Sequence, residues 1–523
     1  MHNRDIFVDD QLVQLLKTAS SGSLEDIRAM TGKFIEAQQN SPKLLETIKS
    51  IANHYTDKNF EHLQLSPILQ CFRDDILELF RKNPDDPNLA RCFASCCSDS
   101  PLHKKTYLAY AQALEGACIS PPPLLRATLH PGTRPLRVTF IADYVSPRVT
   151  RHMACAKHGG MTVQGIFKEG PAPYTTLEPC FYDTLTYYKN SSQDLDAIIQ
   201  EITTFDADIV HMPTHLHVNE TALALTCSLP FPLVGDAYDL LNIIFNKETV
   251  IKNYFEAQLN LECGWFRNVD GLCMRSRVIQ FANRSGMLRK GTGAIYFPEV
   301  CFENTLNHTR LSDCDGKVHC IITGTMDYTF GECLSQLAPY IKDTNTIIHI
   351  VPTYYEKGTK NPQVEKICQA LEKYSFFHFH NTMPHDQYSI FLGTMDILID
   401  GIFIELPIYD REKTGESQAA IYSMGNRICD ALEQDVLIMV SPLYKDRARL
   451  ATVAHRAIIV RRNELLSTPF WRDLQTKVKM ALQTQMNLEK LSPPYQSKRL
   501  ERFYHSVMRR AVARRGVRSQ EPA

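Results

Sequence analysis

Leu136–Ala142 read LRVTFIA and Lys317–Gly324 read KVHCIITG. Each is a short apolar run rich in β-branched residues, and each opens a series of similar runs separated by helix-length segments. After the first come Met161–Phe167, Ala207–Pro213, Pro232–Tyr238, Asp270–Ser276 and Gly293–Pro298. After the second come Thr346–Pro352, Ser375–Asn381, Asp396–Gly401, Asp435–Ser441 and Ala457–Arg462. Runs that stay apolar instead of alternating belong to strands buried on both faces, the condition of a parallel sheet covered by helices. The pattern occurs twice, which predicts an α/β chain with two Rossmann-like, doubly wound parallel-sheet domains, over 134–305 and 315–490. Cys301–Gly316, polar and without period, is the expected hinge between them. Ligands of such sheets sit beyond the carboxyl ends of the strands, so the cleft between the two domains is the expected site.

Upstream of these runs the period changes. From Gln11 to Leu114 apolar residues recur at helical spacing, as in Ile27, Met30 and Phe34, then Leu44, Ile48 and Ile51, then Leu69, Phe72, Ile76 and Leu79. Ser41-Pro42 and Ser66-Pro67 match a hydroxyl N-cap followed by a residue pre-set for the first helical position. An all-α N-terminal domain over 1–122 follows, a candidate for binding a partner, and Pro121-Pro122-Pro123 and Pro131-Gly132 end it. Downstream, residues 491–523 read as a basic helix that carries Lys498, Arg499, Arg502, Arg509, Arg510, Arg514, Arg515 and Arg518. Tyr504, Val507, Met508 and Val512 give it an apolar side. Three readings compete for it: a crossover onto the first Rossmann half, a solvated charged end, or a contact with a membrane surface.

At 523 residues the chain is too long for one ordinary core. A formal net charge of -1 gives it no overall basic footprint, which argues against a nucleic-acid partner. Met1–Asp10 has no apolar signal-peptide core and no run reaches membrane-spanning length, so a cytoplasmic chain is expected, with peripheral contact at the inner membrane surface through the tail as the variant. The 16 cysteines form no C-x-x-C pair, and read as buried free thiols. Asn190, Asn219, Asn283 and Asn307 head N-x-[ST] triplets that have no role in such a compartment.

Several local stretches resemble the GT-B glycosyltransferases, in particular the retaining type with an E-x7-E motif, over roughly Arg134 to Arg510. Ala142-Asp143-Tyr144-Val145-Ser146-Pro147-Arg148 and then Lys157-His158-Gly159-Gly160 resemble that family's opening strand, loop, helix and "HG" turn. Asp208-Ile209-Val210-His211 resembles its "D-[IV]-V-H", in which a strand delivers a histidine to the cleft. Asp236 and Asp239 resemble its "D-x-x-D"; Asp is also a routine helix cap at such a place. Glu262, Asp270-Gly271 and Arg275-Ser276 resemble the stretch leading to the hinge. In the second half, Gly324-Thr325-Met326-Asp327-Tyr328 matches the glycine-containing loop that approaches the donor diphosphate, without that loop's usual Lys or Arg. Met383-Pro384-His385-Asp386 resembles the segment that holds the nucleotide base.

Gly425-Asn426-Arg427-Ile428-Cys429-Asp430-Ala431-Leu432 is the strongest match, to the family's "[NK]-[KR]-x-x-E-x-L" helix start. The resemblance implies a helix N-terminus facing the diphosphate at Asn426, a phosphate-pairing cation at Arg427 and a ribose-binding acid at Asp430. This chain has Asp430 where the family has Glu, Tyr422 where the second Glu would fall, and Asp435 and Leu437 in place of a glycine and a proline.

The function so implied is a metal-independent, hexosyltransferase-like glycosyltransferase that moves a sugar from a nucleotide-sugar donor to a glycan, lipid or protein acceptor, with no cofactor. His211, Asp239 and Arg427 are the expected catalytic residues, and Arg148, Gly324, Asp327, His385, Asn426, Arg427 and Asp430 the expected donor-binding set. Asp206-Ala207-Asp208 has the letters of a D-x-D metal motif but leads directly into a strand, so a cap is expected there and no metal. Two other readings stand beside this one: a catalytically degenerate binding module, and a nucleotide-sugar 2-epimerase.

Overall fold

The computed structural model describes residues 86–96, 101–115, 121–125, 134–143, 145–169, 177–189, 191–214, 228–237, 264–274, 292–297, 299–302, 308–324, 328–352, 362–406 and 426–516, with a few isolated residues beside them. Of the region expected to be helical, Pro87–Cys96 and Pro101–Leu114 are helices, packed together with Phe93 edge-on to Tyr107 at 4.6 Å between ring centroids. Most of the remaining N-terminal stretch, including the two Ser-Pro starts, lies outside the described residues.

Two parallel sheets follow. The first contains β1 (Arg137–Ala142), β2 (Thr162–Lys168), β3 (Thr184–Tyr188), β4 (Ile209–Thr214), β5 (Leu233–Ala237), β6 (Gly271–Met274) and β7 (Gly293–Tyr296). Its order is β3-β2-β1-β4-β5-β6-β7, so the winding reverses between β1 and β4. The second contains β8 (Val318–Gly324), β9 (Thr346–Pro352), β10 (Phe377–Phe379), β11 (Ile397–Ile399), β12 (Leu437–Val440) and β13 (Ala457–Ile459), in the order β10-β9-β8-β11-β12-β13, with its reversal between β8 and β11. Every strand pair described is parallel.

The second sheet shows why its strands carry no alternation. Cys320, Ile322, Ile397, Ile399, Leu437 and Met439 enter the core on one face, and Ile321, Leu398, Ile438 and Val440 enter the core on the other. Both faces are dry, so successive residues are all apolar. Asp435 stands just before β12 at φ 58°, in the left-handed region where a glycine is easiest. An aspartate tolerates that region, and here its carboxylate pairs with Arg456 at 2.6 Å. Asp206 likewise has φ 60°, while Asp208 accepts from the Arg137 backbone N–H at 2.9 Å and pairs with Arg134 at 3.0 Å, fastening the start of β1.

The last helix, Pro493–Arg515, returns to the first sheet. Leu500, Phe503, Tyr504, Val507 and Met508 join Val138, Phe140, Val234 and Cys273 of the sheet and Val149 and Met153 of the Pro147–His158 helix in one core. Two basic residues at its end are also engaged. Arg515 pairs with Asp270 at 3.0 Å and donates to the carbonyls of Pro122, Leu229 and Phe231, and Arg514 donates to those of Asn268 and Val269. Among the described residues no helix is long and apolar enough to cross a membrane.

Gly271 of β6 lies where the returning helix comes closest. A Cβ there would overlap a Val507 methyl and approach Phe503 Cζ to 3.1 Å. Gly271→Ala should therefore destabilise the chain by about 1–3 kcal/mol, read from urea unfolding, and adding Val507→Ala should recover part of that loss. Unchanged stability in Gly271→Ala would show that the tail helix does not seat on β6.

Candidate active site

In a doubly wound sheet the strand ends on either side of the reversal open a crevice, because neighbouring connections leave in opposite directions. In the second sheet this crevice lies between the end of β8 and the end of β11. Gly324 closes β8 at φ 125°, which disfavours any side chain, and a Cβ there would stand 2.6 Å from Arg427 Nη1. Asp400 follows β11 and is fully buried. The Asn426–Glu433 helix begins at the same place. Arg427, in its first turn, donates to the Thr323 carbonyl and pairs through Nε with Asp400 at 2.8 Å. Arg447 holds the other Asp400 oxygen at 3.0 Å. Burial pushes the Asp400 carboxyl up, but the Arg447 and Arg427 guanidiniums outweigh it and hold the group below the usual carboxylate range.

Three residues along the same helix, Asp430 and then Glu433 face the first sheet. Arg151, from the Pro147–His158 helix of the first half, pairs through Nη2 with Asp430 at 2.7 Å and with Glu433 at 3.1 Å. Glu433 also accepts from the Phe302 backbone N–H at 3.1 Å. Arg151 Nη1 is buried and makes no hydrogen bond among the described residues. His385, at the start of the His385–Gly393 helix, brings Nε2 to 3.9 Å from Asp430. The Asp430 carboxylate raises the His385 imidazole above its ordinary value. Burial opposes ionisation of Asp430, yet Arg151 and His385 hold it below the usual range, whereas burial leaves Glu433 raised.

Of the residues expected from sequence, the structure thus gathers Gly324, His385, Arg427 and Asp430 around one helix start. Asn426 heads that helix; its side chain lies outside the described residues, as do Asp239 and Asp327. Arg148 and His211 are placed elsewhere, and this corrects their expected position in the cleft. Arg148 is fully buried within the first half, bound to Asp236 at 2.7–3.0 Å and to Glu299 at 2.8 Å. Two carboxylates inside a dry layer attract a guanidinium within reach more strongly than a solvated cleft does. His211 is equally buried, with Nδ1 2.6 Å from the Tyr504 hydroxyl, and burial pulls its imidazole below the ordinary range. Asp236, bound to Arg148, is buried inside the same layer.

Sequence reading gave no role to Arg151, Asp400, Glu433 or Arg447. Arg151 had a faint signal, a second arginine three residues after Arg148 on one helix, and Glu433 stands at the same spacing from Asp430. Nothing in the sequence shows which arginine turns inward, because their partners are remote.

Truncating Arg151 to Ala would leave two buried carboxylates side by side without their cation. We expect a loss of about 3–5 kcal/mol, read as a lower denaturant midpoint; a change under about 1 kcal/mol would mean that the two halves are held by other contacts. His385 adds a smaller, pH-dependent hold. Its folded pKa is raised, so its contribution is complete below pH about 6.5 and is lost as pH rises through the raised value. Because Asp430 is depressed, the pair persists down to the acid range below the ordinary Asp value of 3.8. The stability difference between the native chain and His385→Gln should thus be present at pH 5.5, stay under about 1 kcal/mol because His385 is exposed, and vanish by pH 9; a difference that grows toward pH 9 would contradict the pairing.

No family model matches the chain, and no curated protein matches it. Solved structures do. A glycosyltransferase from Rickettsia africae is similar at 12% identity and a TM-score of 0.47, covering 72% of this chain and 99% of the other. A putative UDP-N-acetylglucosamine 2-epimerase from Listeria monocytogenes is similar at 11% identity and a TM-score of 0.43, covering 71% and 95%. Anabaena HepE in complex with UDP-glucose is similar at 12% identity and a TM-score of 0.43, covering 72% and 98%. Strand order, two separate reversals and a last helix that returns to the first sheet give this chain the GT-B architecture.

Proposed function

We propose that the chain is a glycosyltransferase that binds a nucleotide-sugar donor at the carboxyl edge of the second sheet and transfers its sugar to an acceptor presented from the first. The convergence of Gly324, Arg427 and the start of the Asn426–Glu433 helix at the β8/β11 reversal carries this reading. A glycine lets an anionic group approach the backbone, and a helix start offers unpaired N–H groups and a positive dipole end. Arg427, about one-third exposed, adds a full charge to the same spot. Along the helix Asp430 stands about 4.5 Å further on, from a rise of about 1.5 Å per residue. A carboxylate there suits the ribose hydroxyls of a nucleotide whose diphosphate lies at Arg427.

Sugar transfer breaks the bond between the anomeric carbon and the diphosphate, and negative charge grows on the departing oxygen. Cations fixed beforehand stabilise that charge without having to reorganise. Arg427 supplies one, and Arg151, whose Nη1 makes no hydrogen bond among the described residues, supplies a second from the opposite wall. In this reading these groups take the place of a divalent ion, and transfer is metal-independent. Asp430 is shared between Arg151 and the ribose, so donor binding links the two halves.

A panel of nucleotide sugars, assayed for release of the nucleoside diphosphate, tests the reading, and binding of the diphosphate should be unchanged by Mg2+. Arg427→Ala should weaken nucleoside diphosphate binding about 10- to 100-fold, as expected for loss of a charged hydrogen bond of about 1.5–3 kcal/mol. Affinity for the free nucleoside should barely change. Equal losses for both ligands would remove Arg427 from the phosphate role, and absence of any nucleotide binding would favour a non-catalytic module.

A further inference from the structure

The layer between the first sheet and its two covering helices holds a second set of chemically able side chains, which the donor cleft does not use. His211 on β4 pairs in register with Val234 on β5, and Asp236, two residues on, pairs with Cys273 on β6. Residues in register or two apart share a face, so His211, Asp236 and Cys273 point to one side of the sheet. His152, from the Pro147–His158 helix, meets them from above. One ligand atom from each of the four lies within 4.8 Å of the others, and all four residues are buried.

Three observations bear on what this set holds. The first is spacing. Asp236 Oδ2 lies 3.2 Å from His152 Nδ1 and 3.6 Å from His211 Nε2, yet among the described residues neither contact has the geometry of a full hydrogen bond. Bonds of about 2.0–2.2 Å from a tetrahedral centre place nitrogen and oxygen ligands about 3.3–3.6 Å apart, so these atoms already stand at the edges of such a polyhedron. The second is orientation. The Tyr504 hydroxyl, 2.6 Å from His211 Nδ1, can accept Nδ1–H, which leaves the Nε2 lone pair aimed at the cluster in the manner of an outer-shell partner. The third is charge. Arg148 brings one positive charge against the two carboxylates of Asp236 and Glu299, with every one of these side chains fully buried. Among these three side chains, two carboxylates meet one guanidinium in a dry layer, where charge is costly unless it is paired. A divalent cation together with a Cys273 thiolate adds one net positive charge beside those carboxylates.

We propose that His152, His211, Asp236 and Cys273 form a closed, four-ligand site for zinc or a similarly thiophilic divalent ion. Binding releases the Cys273 thiol proton and changes no oxidation state. With four protein ligands there is no open position for substrate, so the ion is structural. Asp236 bridges it to Arg148. It fastens the Pro147–His158 helix, and with it Arg151, to β4, β5 and β6. The proposal does not depend on the donor reading.

The test uses the untagged full chain purified with zinc in the medium and dialysed against a weak chelator. Mass-spectrometric metal analysis should find one tightly held zinc per chain, and cobalt(II) in its place should give a near-ultraviolet thiolate-to-metal charge-transfer band. Cys273→Ser should lose both, whereas Cys320→Ser, a buried cysteine of the second sheet, should keep both. X-ray absorption on the unmodified zinc protein should show one sulfur at about 2.3 Å with nitrogen and oxygen at about 2.0–2.2 Å, and this decides the matter if Cys273→Ser fails to fold. A chain free of zinc after this purification, a band that survives Cys273→Ser, or an absorption spectrum without sulfur would overturn the proposal.

Discussion

One cation joins the two halves of this protein. Arg151, on a helix of the first sheet, places a single guanidinium nitrogen between Asp430 and Glu433 of the second. All three side chains are largely withdrawn from water, so each charge needs the others. Because Asp430 belongs to the helix that starts at the β8/β11 crevice, the same contact that holds the halves together also sets one wall of the proposed donor site.

Rigidity behind that contact comes from the first half. The Pro147–His158 helix begins with Ser146, whose side chain accepts the Val149 N–H, and Pro147 at the first helical position. It is pinned from below by Arg148, bound to Asp236 and Glu299, and from the side by the returning C-terminal helix. Arg148 and Arg151 share a helix and divide the labour, one fastening it to its own sheet and the other reaching across. The C-terminal helix is fixed at its far end by Asp270, which takes both Arg514 and Arg515. Two of the tail's basic residues, Arg514 and Arg515, are thus engaged inside the fold.

Much of the architecture was legible because it follows from local pattern. Thr346–Pro352 was read with its observed bounds, and the doubled series of apolar runs gave both sheets, since a strand dry on both faces needs no partner in the sequence to be seen. Charged residues were harder. Arg148 and Arg151 differ by three positions and by nothing in residue type, yet one is 88 residues from its carboxylate partner Asp236 and the other 279 residues from Asp430. Only the fold decides which turns inward. His211 is expected in the cleft because Asp208–His211 resembles the D-[IV]-V-H stretch; its neighbours Asp236 and Tyr504 come from β5 and from the last helix, and they draw it into the layer. Gly324 and Arg427 stand out in the sequence through the resemblance, because each sits in a short local motif, a glycine after a strand and a cation at a helix start.

The central claim is that a nucleoside diphosphate sits at the carboxyl edge of the second sheet and engages the link between the halves. Hydrogen exchange of the full chain with and without saturating UDP, followed by mass spectrometry, addresses it without altering any residue. The account predicts slower exchange in peptides carrying Thr323 and Gly324, in those carrying Arg427 to Asp430, and in the Arg151 segment of the first half. Protection confined to the first sheet, or none at saturating nucleotide, would contradict it.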